Sequence, residues 1–181
     1  MTNPFVQSNF PRVPGDYYPT IDPRCVWGFL EHFKPRGMVV DPCAPQGSGI
    51  VDTLTECGYA AMGYPDAWSK FAAEWVVCNP PYLRGLVDKI IQRQIERVQH
   101  GVLSGVAMLL RSGFAFAPIH KPLFESPYYY GEIKLRFRPW WSDDHSKQPI
   151  HNFVWHIWTR TRKDYSKPHL MFADGIDPRQ K

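Results

Sequence analysis

Short apolar runs alternate with amphipathic segments through most of this 181-residue chain. The runs MVVD, YAAMGY, WVVC and GVAMLL have the length and composition of buried strands. Between them lie IVDTLTECG and RGLVDKIIQRQIERVQHG, whose apolar residues recur at helical spacing and which a glycine ends. Strands separated by helices are joined by crossover connections, so this pattern predicts a Rossmann-like, doubly wound, mostly parallel α/β sheet.

The last third of the chain has a different pattern. YYYGEIKLRFRPWW and NFVWHIWTR predict two consecutive strands, joined by a polar loop, that form an antiparallel hairpin and close the sheet. The expected organisation is a flexible N-terminal arm over residues 1–15, one domain over residues 16–162 and a loosely ordered tail over residues 163–181.

The net charge of +4 is distributed unevenly. Residues 1–80 carry five Lys or Arg and eight Asp or Glu, whereas residues 81–181 carry sixteen and nine. A basic half that is rich in aromatic residues is compatible with a nucleic-acid partner, and equally with an ordinary solvated surface. The sequence does not predict an oligomeric state.

Neither a membrane span nor an export signal is expected. No apolar run approaches the roughly 20 residues of a spanning helix. The first residues lack a basic start and an apolar core, so they do not resemble a signal peptide. We therefore expect a cytoplasmic protein, in the cytoplasm of a bacterial host if the chain is phage-derived.

No metal site is expected from the spacing of the cysteines or histidines. The four cysteines, Cys25, Cys43, Cys57 and Cys78, form no C-x-x-C pair, and simple thiols are the expected state. The later histidines match no metal-binding signature.

Two predicted strands end in unusual residues. The first runs into Asp41 and a turn that contains Gly47 and Gly49, and the third ends at Asn79 and two prolines, which cannot donate to a strand ladder. The corner Asn79–Tyr82 is either a simple turn with an aromatic cap or a socket for a flat ring that carries an amino group. Ligands of open parallel sheets bind beyond the carboxyl ends of strands, where both motifs should lie.

VVDPCAPQGSG followed by VVCNPPY, with DYYPT upstream, resembles the class I S-adenosylmethionine-dependent methyltransferases that act on amino nitrogens. In particular it is similar to the gamma-type and small phage-type N6-adenine DNA methyltransferases, over most of residues 16–160. The resemblance implies S-adenosylmethionine as the cofactor. The cofactor-binding residues that it implies are Tyr18, Thr20, Asp41, Pro42, Gly47, Gly49, Asp66 and Asn79.

The same resemblance implies catalytic roles for Asn79, Pro80, Pro81 and Tyr82. The side-chain carbonyl of Asn79 and the main-chain carbonyl of Pro80 would accept both hydrogens of the adenine amino group and aim its lone pair at the methyl group. The prolines would hold these acceptors rigidly. Tyr82 would stack on the base, which must leave the duplex or be single-stranded.

Four basic residues are the candidates for nucleic-acid binding. Arg111 lies at the end of a predicted strand, and Lys134, Arg136 and Arg138 alternate with apolar residues on another. Alternation places these last three on one face of that strand, where they would contact phosphates. DNA is favoured as the partner.

Other functions remain open. The N-P-P-Y motif also serves enzymes that methylate RNA bases or the side-chain amide of glutamine in proteins. Pro45 replaces the first glycine of the expected turn, and Asp66 lies one position beyond the expected ribose-binding acid. These departures favour a methyltransferase-like binding module with little turnover as a further alternative.

Overall fold

The structure is a computed structural model that describes residues 19–44, 47–83, 85–142, 149–160 and 167–180. The arm over residues 1–15, Tyr18 and Pro45 lie outside the described residues. Seven strands form one sheet, and their bounds are as follows: β1 (Val39–Asp41), β2 (Ala61–Gly63), β3 (Trp75–Cys78), β4 (Gly105–Arg111), β5 (Tyr129–Leu135), β6 (Phe153–Thr159) and β7 (His169–Ala173).

The strand order is β2-β1-β3-β4-β6-β5-β7. The strands β1, β2, β3 and β4 pair with one another in parallel, β6 lies antiparallel between β4 and β5, and β7 is parallel to β5. The predicted Rossmann-like fold with a C-terminal antiparallel pair is therefore confirmed. The chain proceeds outward from β1 to β2 and then in the other direction from β3, so a ligand crevice is expected between β1 and β3.

Helices cover both faces of the sheet, as in other doubly wound folds. Their bounds are α1 (Arg24–Leu30), α2 (Gly49–Glu56), α3 (Leu86–Gln99) and α4 (Lys121–Phe124). The residues of α1 and α2 pack into one apolar core against the sheet, and those of α3 and α4 pack into a second core on the opposite face. Among the described helices, none has the length and apolar character needed to cross a membrane.

Local sequence signals account for several helix boundaries. The carboxylate of Asp22 accepts a hydrogen bond of 3.1 Å from the Arg24 amide, which caps the first turn of α1. The hydroxyl of Ser48 does the same for α2 through the Val51 amide. Beyond α2 and α3, Gly58 and Gly101 have φ angles of 83° and 73° that favour glycine.

The strand β5 is shorter than the sequence predicts. It ends at Leu135, so Arg136 and Arg138 lie beyond the strand instead of on one of its faces. The chain bends at residues 136–137 and then reaches Pro139, which cannot donate to a ladder. Within the strand the expected alternation holds, because Ile133 and Leu135 are buried while Lys134 is exposed.

The strand β7 corrects the expectation of a loosely ordered tail. Residues 169–173 pair in parallel with β5, and Ala173 is fully buried. The predicted hairpin therefore lies inside the sheet, and β7 forms its edge. The sequence HLMFA is short and follows a polar stretch, so its strand character depends on the neighbour that it finds.

A substitution at Gly131 tests the pairing of β5 with β7. Its φ angle is 149°, and a Cβ atom there would collide with the carbonyl oxygen of His169 on β7. We expect Gly131→Ala to lower the free energy of unfolding by about 1–3 kcal/mol, since both strain and lost pairing contribute. Urea denaturation measures the change. Gly113→Ala is the matched control because its added Cβ meets open space; equal stability of both variants and the wild type would contradict the β5–β7 pairing.

Candidate functional site

The turn after β1 is closed around the side chain of Asp41. One carboxylate oxygen accepts a hydrogen bond of 3.0 Å from the Cys43 amide, and the other accepts one of 2.5 Å from the Ser48 hydroxyl. The Ser48 oxygen in turn accepts the Val51 amide of α2 at 3.2 Å. Asp41 therefore joins the end of β1 to the start of α2.

Burial makes the Asp41 carboxyl an unusual acid. Only 4% of the residue is exposed. Desolvation disfavours the charged form and raises the pKa of the carboxyl to about 6, while the hydrogen bonds from Ser48 and Cys43 partly oppose the increase. The side chain is therefore mostly ionised at neutral pH and places a negative charge at the tip of β1.

The segment before α1 packs against this turn. A Cβ atom at Gly49 would collide with the carbonyl oxygen of Thr20, so glycine is needed where the two segments meet. The side chain of Thr20 is buried, and its hydroxyl has no hydrogen-bond partner among the described residues. Gly47 has a φ angle of 103°, in the region that favours glycine.

The segment after β2 brings Asp66 to the same turn. The Tyr64 amide donates to the Asp41 carbonyl at 2.8 Å, and the Ala44 amide donates to the Tyr64 carbonyl at 2.9 Å. This pairing continues beyond β2 as far as Tyr64, two residues before Asp66. The carboxylate of Asp66 is exposed and accepts the Trp68 amide at 3.0 Å.

A cavity of about 210 Å³ lies between these segments and the corner after β3. Its walls are mostly apolar, with the carboxylate of Asp66 among them. The lining residues are Pro42, Cys43, Pro65, Asp66, Ala67, Trp68, Pro81, Leu83, Leu86 and Ile90. Of the site residues that the sequence predicts, Pro42, Asp66 and Pro81 line this cavity. The sequence predicts no role at the site for the other lining residues.

The corner after β3 is held by the hydroxyl of Tyr82. It donates to the Leu109 carbonyl at 3.1 Å and accepts the Arg111 amide at 2.9 Å. The paired positions of β3 and β4 end at Cys78 and Met108, and the next residues of the β3 segment are Asn79 and the two prolines. The tyrosine hydroxyl therefore bonds a carbonyl and an amide of β4 at the point where the β3 segment continues into prolines. A proline has no N–H and cannot donate to the β4 carbonyl.

Asn79 and Pro80, which the sequence places at the start of this corner, are buried. The guanidinium of Arg111 lies 5.4 Å from the centre of the Tyr82 ring. The fold thus places Arg111 beside the predicted catalytic corner, whereas the sequence placed it only at a strand end.

The other predicted nucleic-acid contacts line a second groove, of about 730 Å³, at the carboxyl ends of β4 and β5. Lys134, Arg136 and Arg138 share it with Arg24 and the aromatic residues Phe137, Trp140 and Phe172. The guanidinium of Arg136 lies 5.1 Å from the centre of the Phe172 ring, and that of Arg24 lies 4.6 Å from Phe137. The sequence analysis missed Arg24 and Phe172 because they come from distant segments.

The cations of this groove are partly neutralised. Lys134 pairs with Glu132 at 3.3 Å, and Arg136 pairs with Asp174 at 3.5 Å. Both side chains remain about half exposed. Exposed pairs of this kind contribute only about 0–1 kcal/mol, so the cations can exchange these partners for other anions.

Comparisons with known proteins are limited to the fold. No protein-family model matches the chain, and no curated protein sequence matches it. A solved structure from Listeria monocytogenes, described provisionally as a class I S-adenosylmethionine-dependent methyltransferase, is similar at 12% identity with a TM-score of 0.48. The similarity covers 86% of this chain and 64% of that chain, so this chain spans less than two thirds of the Listeria protein.

Two further structures are similar to the same degree. One is a protein of Pyrococcus horikoshii described provisionally as an RNA methyltransferase, at 10% identity and a TM-score of 0.45 over 78% of this chain and 81% of that one. The other is DNMT2 of Spodoptera frugiperda, at 11% identity and a TM-score of 0.44 over 88% and 54%. These similarities assign no role to any residue.

The hydroxyl of Tyr82 provides a test of the corner. We expect Tyr82→Phe to lower the free energy of unfolding by about 1–3 kcal/mol, because a β4 carbonyl and a β4 amide lose their partner. Thermal or urea denaturation measures the loss. Tyr64→Phe is the control, since the Tyr64 ring packs against Phe71. A Tyr82→Phe protein as stable as the wild type would show that the hydroxyl does not hold the corner.

Proposed function

We propose that this protein is an S-adenosylmethionine-dependent N-methyltransferase that acts on an amino nitrogen of a nucleic-acid base, with N6 of adenine in DNA as the first candidate. One observation carries the proposal. The turn after Asp41 (through Pro42 and Cys43), the acid Asp66 and the corner after β3 (through Pro81) line one cavity at the switch point between β1 and β3. This is where open α/β sheets bind their ligands.

The residues of this site suit the cofactor. An exposed carboxylate such as that of Asp66 can accept hydrogen bonds from ribose hydroxyls, and the apolar walls beside it suit an adenine ring. The Thr20 hydroxyl, the Asp41 carboxylate and the start of α2 would face the charged amino-acid part. When bound, S-adenosylmethionine supplies an electrophilic methyl group.

The chain itself would supply two hydrogen-bond acceptors for the target. The side-chain carbonyl of Asn79 and the main-chain carbonyl of Pro80 accept the two amino hydrogens and draw the lone pair of the nitrogen out of the ring. Both acceptors sit on a proline corner that Tyr82 anchors to β4, so little ordering is needed at the transition state. No strong general base is required.

The ring of Tyr82 would support the target base. Its hydroxyl is already bonded to β4, so the position of the ring is set before a base arrives. Stacking of a base on such a ring contributes about 1–3 kcal/mol. Asn79 is only 7% exposed, so the base must enter the site out of any duplex stack.

The groove lined by Lys134, Arg136 and Arg138 supports a nucleic acid as the substrate. Cations interleaved with partly exposed aromatic rings are typical of surfaces that follow a single strand or an extruded strand. DNA is preferred to RNA on the resemblance of the N-P-P-Y motif alone. RNA bases and protein glutamine amides remain alternative substrates, and a binding module with little turnover is an alternative to an enzyme.

A substitution at Asn79 distinguishes methyl transfer from cofactor binding. We expect Asn79→Ala to abolish transfer of a radiolabelled methyl group, because its carbonyl is needed mainly as the amino group becomes pyramidal. Its affinity for S-adenosylmethionine, measured by calorimetry, should stay within a few-fold of the wild-type value, which also reports that the variant is folded.

The transfer assay should include duplex DNA, single-stranded DNA, RNA and a protein extract in parallel. Methylation of RNA or protein alone would replace the substrate that we propose. Cofactor binding without transfer to any of them would support the binding module. If the wild-type protein does not bind S-adenosylmethionine at millimolar concentration, the proposal as a whole fails.

The groove predicts an electrostatic mode of binding. We expect the double substitution Arg136→Ala and Arg138→Ala to weaken binding of a single-stranded oligonucleotide. The log–log salt dependence should also become shallower, by about 0.7 for each phosphate contact removed. Fluorescence anisotropy at several salt concentrations measures both effects. Lys89→Ala on the exposed side of α3 is the control; an equal loss in this variant would show that the groove is not the binding surface.

A further inference from the structure

Two cysteines that are far apart in the sequence meet beneath the cavity. Cys43 lies in the turn after β1, and Cys78 is the last residue of β3, the neighbouring strand. One carboxylate oxygen of Asp41 and the two cysteine sulfurs all lie within 4.8 Å of one another. A third sulfur, that of Met108 on β4, lies 3.2 Å from the sulfur of Cys78.

The spacing of these atoms suits a single ion. A tetrahedral Zn²⁺ ion with Zn–S bonds of about 2.3 Å holds its two sulfurs about 3.8 Å apart, with the carboxylate oxygen at about 2 Å from the metal. The two sulfurs and the Asp41 oxygen lie within 4.8 Å of one another, so an inward movement of at most about 1 Å closes the site. Each Asp41 oxygen already accepts one hydrogen bond and retains a lone pair for a metal.

The chemistry of the donors selects the type of ion. Thiolates and thioethers prefer soft or borderline cations, whereas Mg²⁺ and Ca²⁺ require sites built from oxygen. All four side chains are buried, with Cys78 and Met108 at 0% exposure, so an ion held there would be shielded from water. Cys43 also lines the cavity, which provides a path of entry.

We propose that Asp41, Cys43 and Cys78 form a binding site for a thiophilic divalent cation of the Zn²⁺ type, with the Met108 sulfur beside it. The proposal does not depend on the proposed methyltransferase activity. It differs from the metal-free expectation of the sequence analysis, because 34 residues separate the two cysteines in the chain and only the pairing of β1 with β3 brings them together.

Binding would displace protons from the two thiols and would connect the turn after β1 to the end of β3. Because a thiol must lose its proton to bind a metal, the affinity should decrease as the pH falls. Since the unfolded chain lacks the assembled site, saturation with the metal should raise the melting temperature.

The probe for this site is Co²⁺ as a spectroscopic substitute for Zn²⁺. Protein treated with a chelator and kept reduced should bind one Co²⁺ per chain and develop a thiolate-to-cobalt absorption band, which Zn²⁺ removes and Mg²⁺ does not. Cys43→Ser and Cys78→Ala should each lose the band. Cys57→Ser, which changes a cysteine outside the cluster, should keep it.

Circular dichroism and the melting temperature of each metal-free variant report whether the fold is intact. If Cys78→Ala is unfolded, the more exposed Cys43→Ser variant still decides the question. Absence of the band in the wild type overturns the proposal, as does a band that persists in Cys43→Ser. The proposal is also overturned if the reduced wild-type protein binds no Co²⁺ and instead forms a Cys43–Cys78 disulfide in air, which lowers the mass of the protein by two hydrogens.

Discussion

The buried carboxylate of Asp41 is the interaction on which the candidate site depends. Its side chain bonds the Cys43 amide and the Ser48 hydroxyl, which in turn caps α2, and its carbonyl accepts the Tyr64 amide beyond β2. One residue thus fixes the relative positions of two strand ends and a helix start. Because the carboxylate is buried, the hydrogen bonds from Cys43 and Ser48 offset part of the cost of its desolvation.

A second constraint acts at the end of β3, where two prolines end the ladder. The hydroxyl of Tyr82 bonds β4 at the positions that the prolines leave open. The corner is therefore held by a side chain at the point where the ladder of β3 ends. In the function that we propose, the same tyrosine holds the acceptors in place and offers its ring to the base.

The cavity beside Asp66 and the basic groove lie at the same edge of the sheet. The strands β1, β3, β4 and β5 are parallel, so their carboxyl ends lie along one edge, and Arg111 lies there at the end of β4, beside the ring of Tyr82. In the function that we propose, the phosphate backbone follows the groove and one base leaves the stack to reach the corner after β3.

The sequence by itself determined the features that arise from local patterns. The alternation of apolar runs with helical segments predicted the parallel sheet, and the proline pair predicted the end of β3. Gly49 and Asp41 were identified as parts of a turn at a strand end. Each of these depends on residues that are close together in the chain, because strand ends, caps and turns form from local backbone preferences.

Only the tertiary structure decided the features that depend on which segments become neighbours. Residues 169–173 form the strand β7 because they pair with the edge of β5. Arg136 does not lie on the expected face of β5 because the strand ends at Leu135 and the chain bends there. The Tyr82 hydroxyl bonds Leu109 of β4, 27 positions along the chain, and Cys43 lies near Cys78, 35 positions along the chain. These contacts carry no periodic signal, since they arise from sheet order and packing between distant parts of the chain.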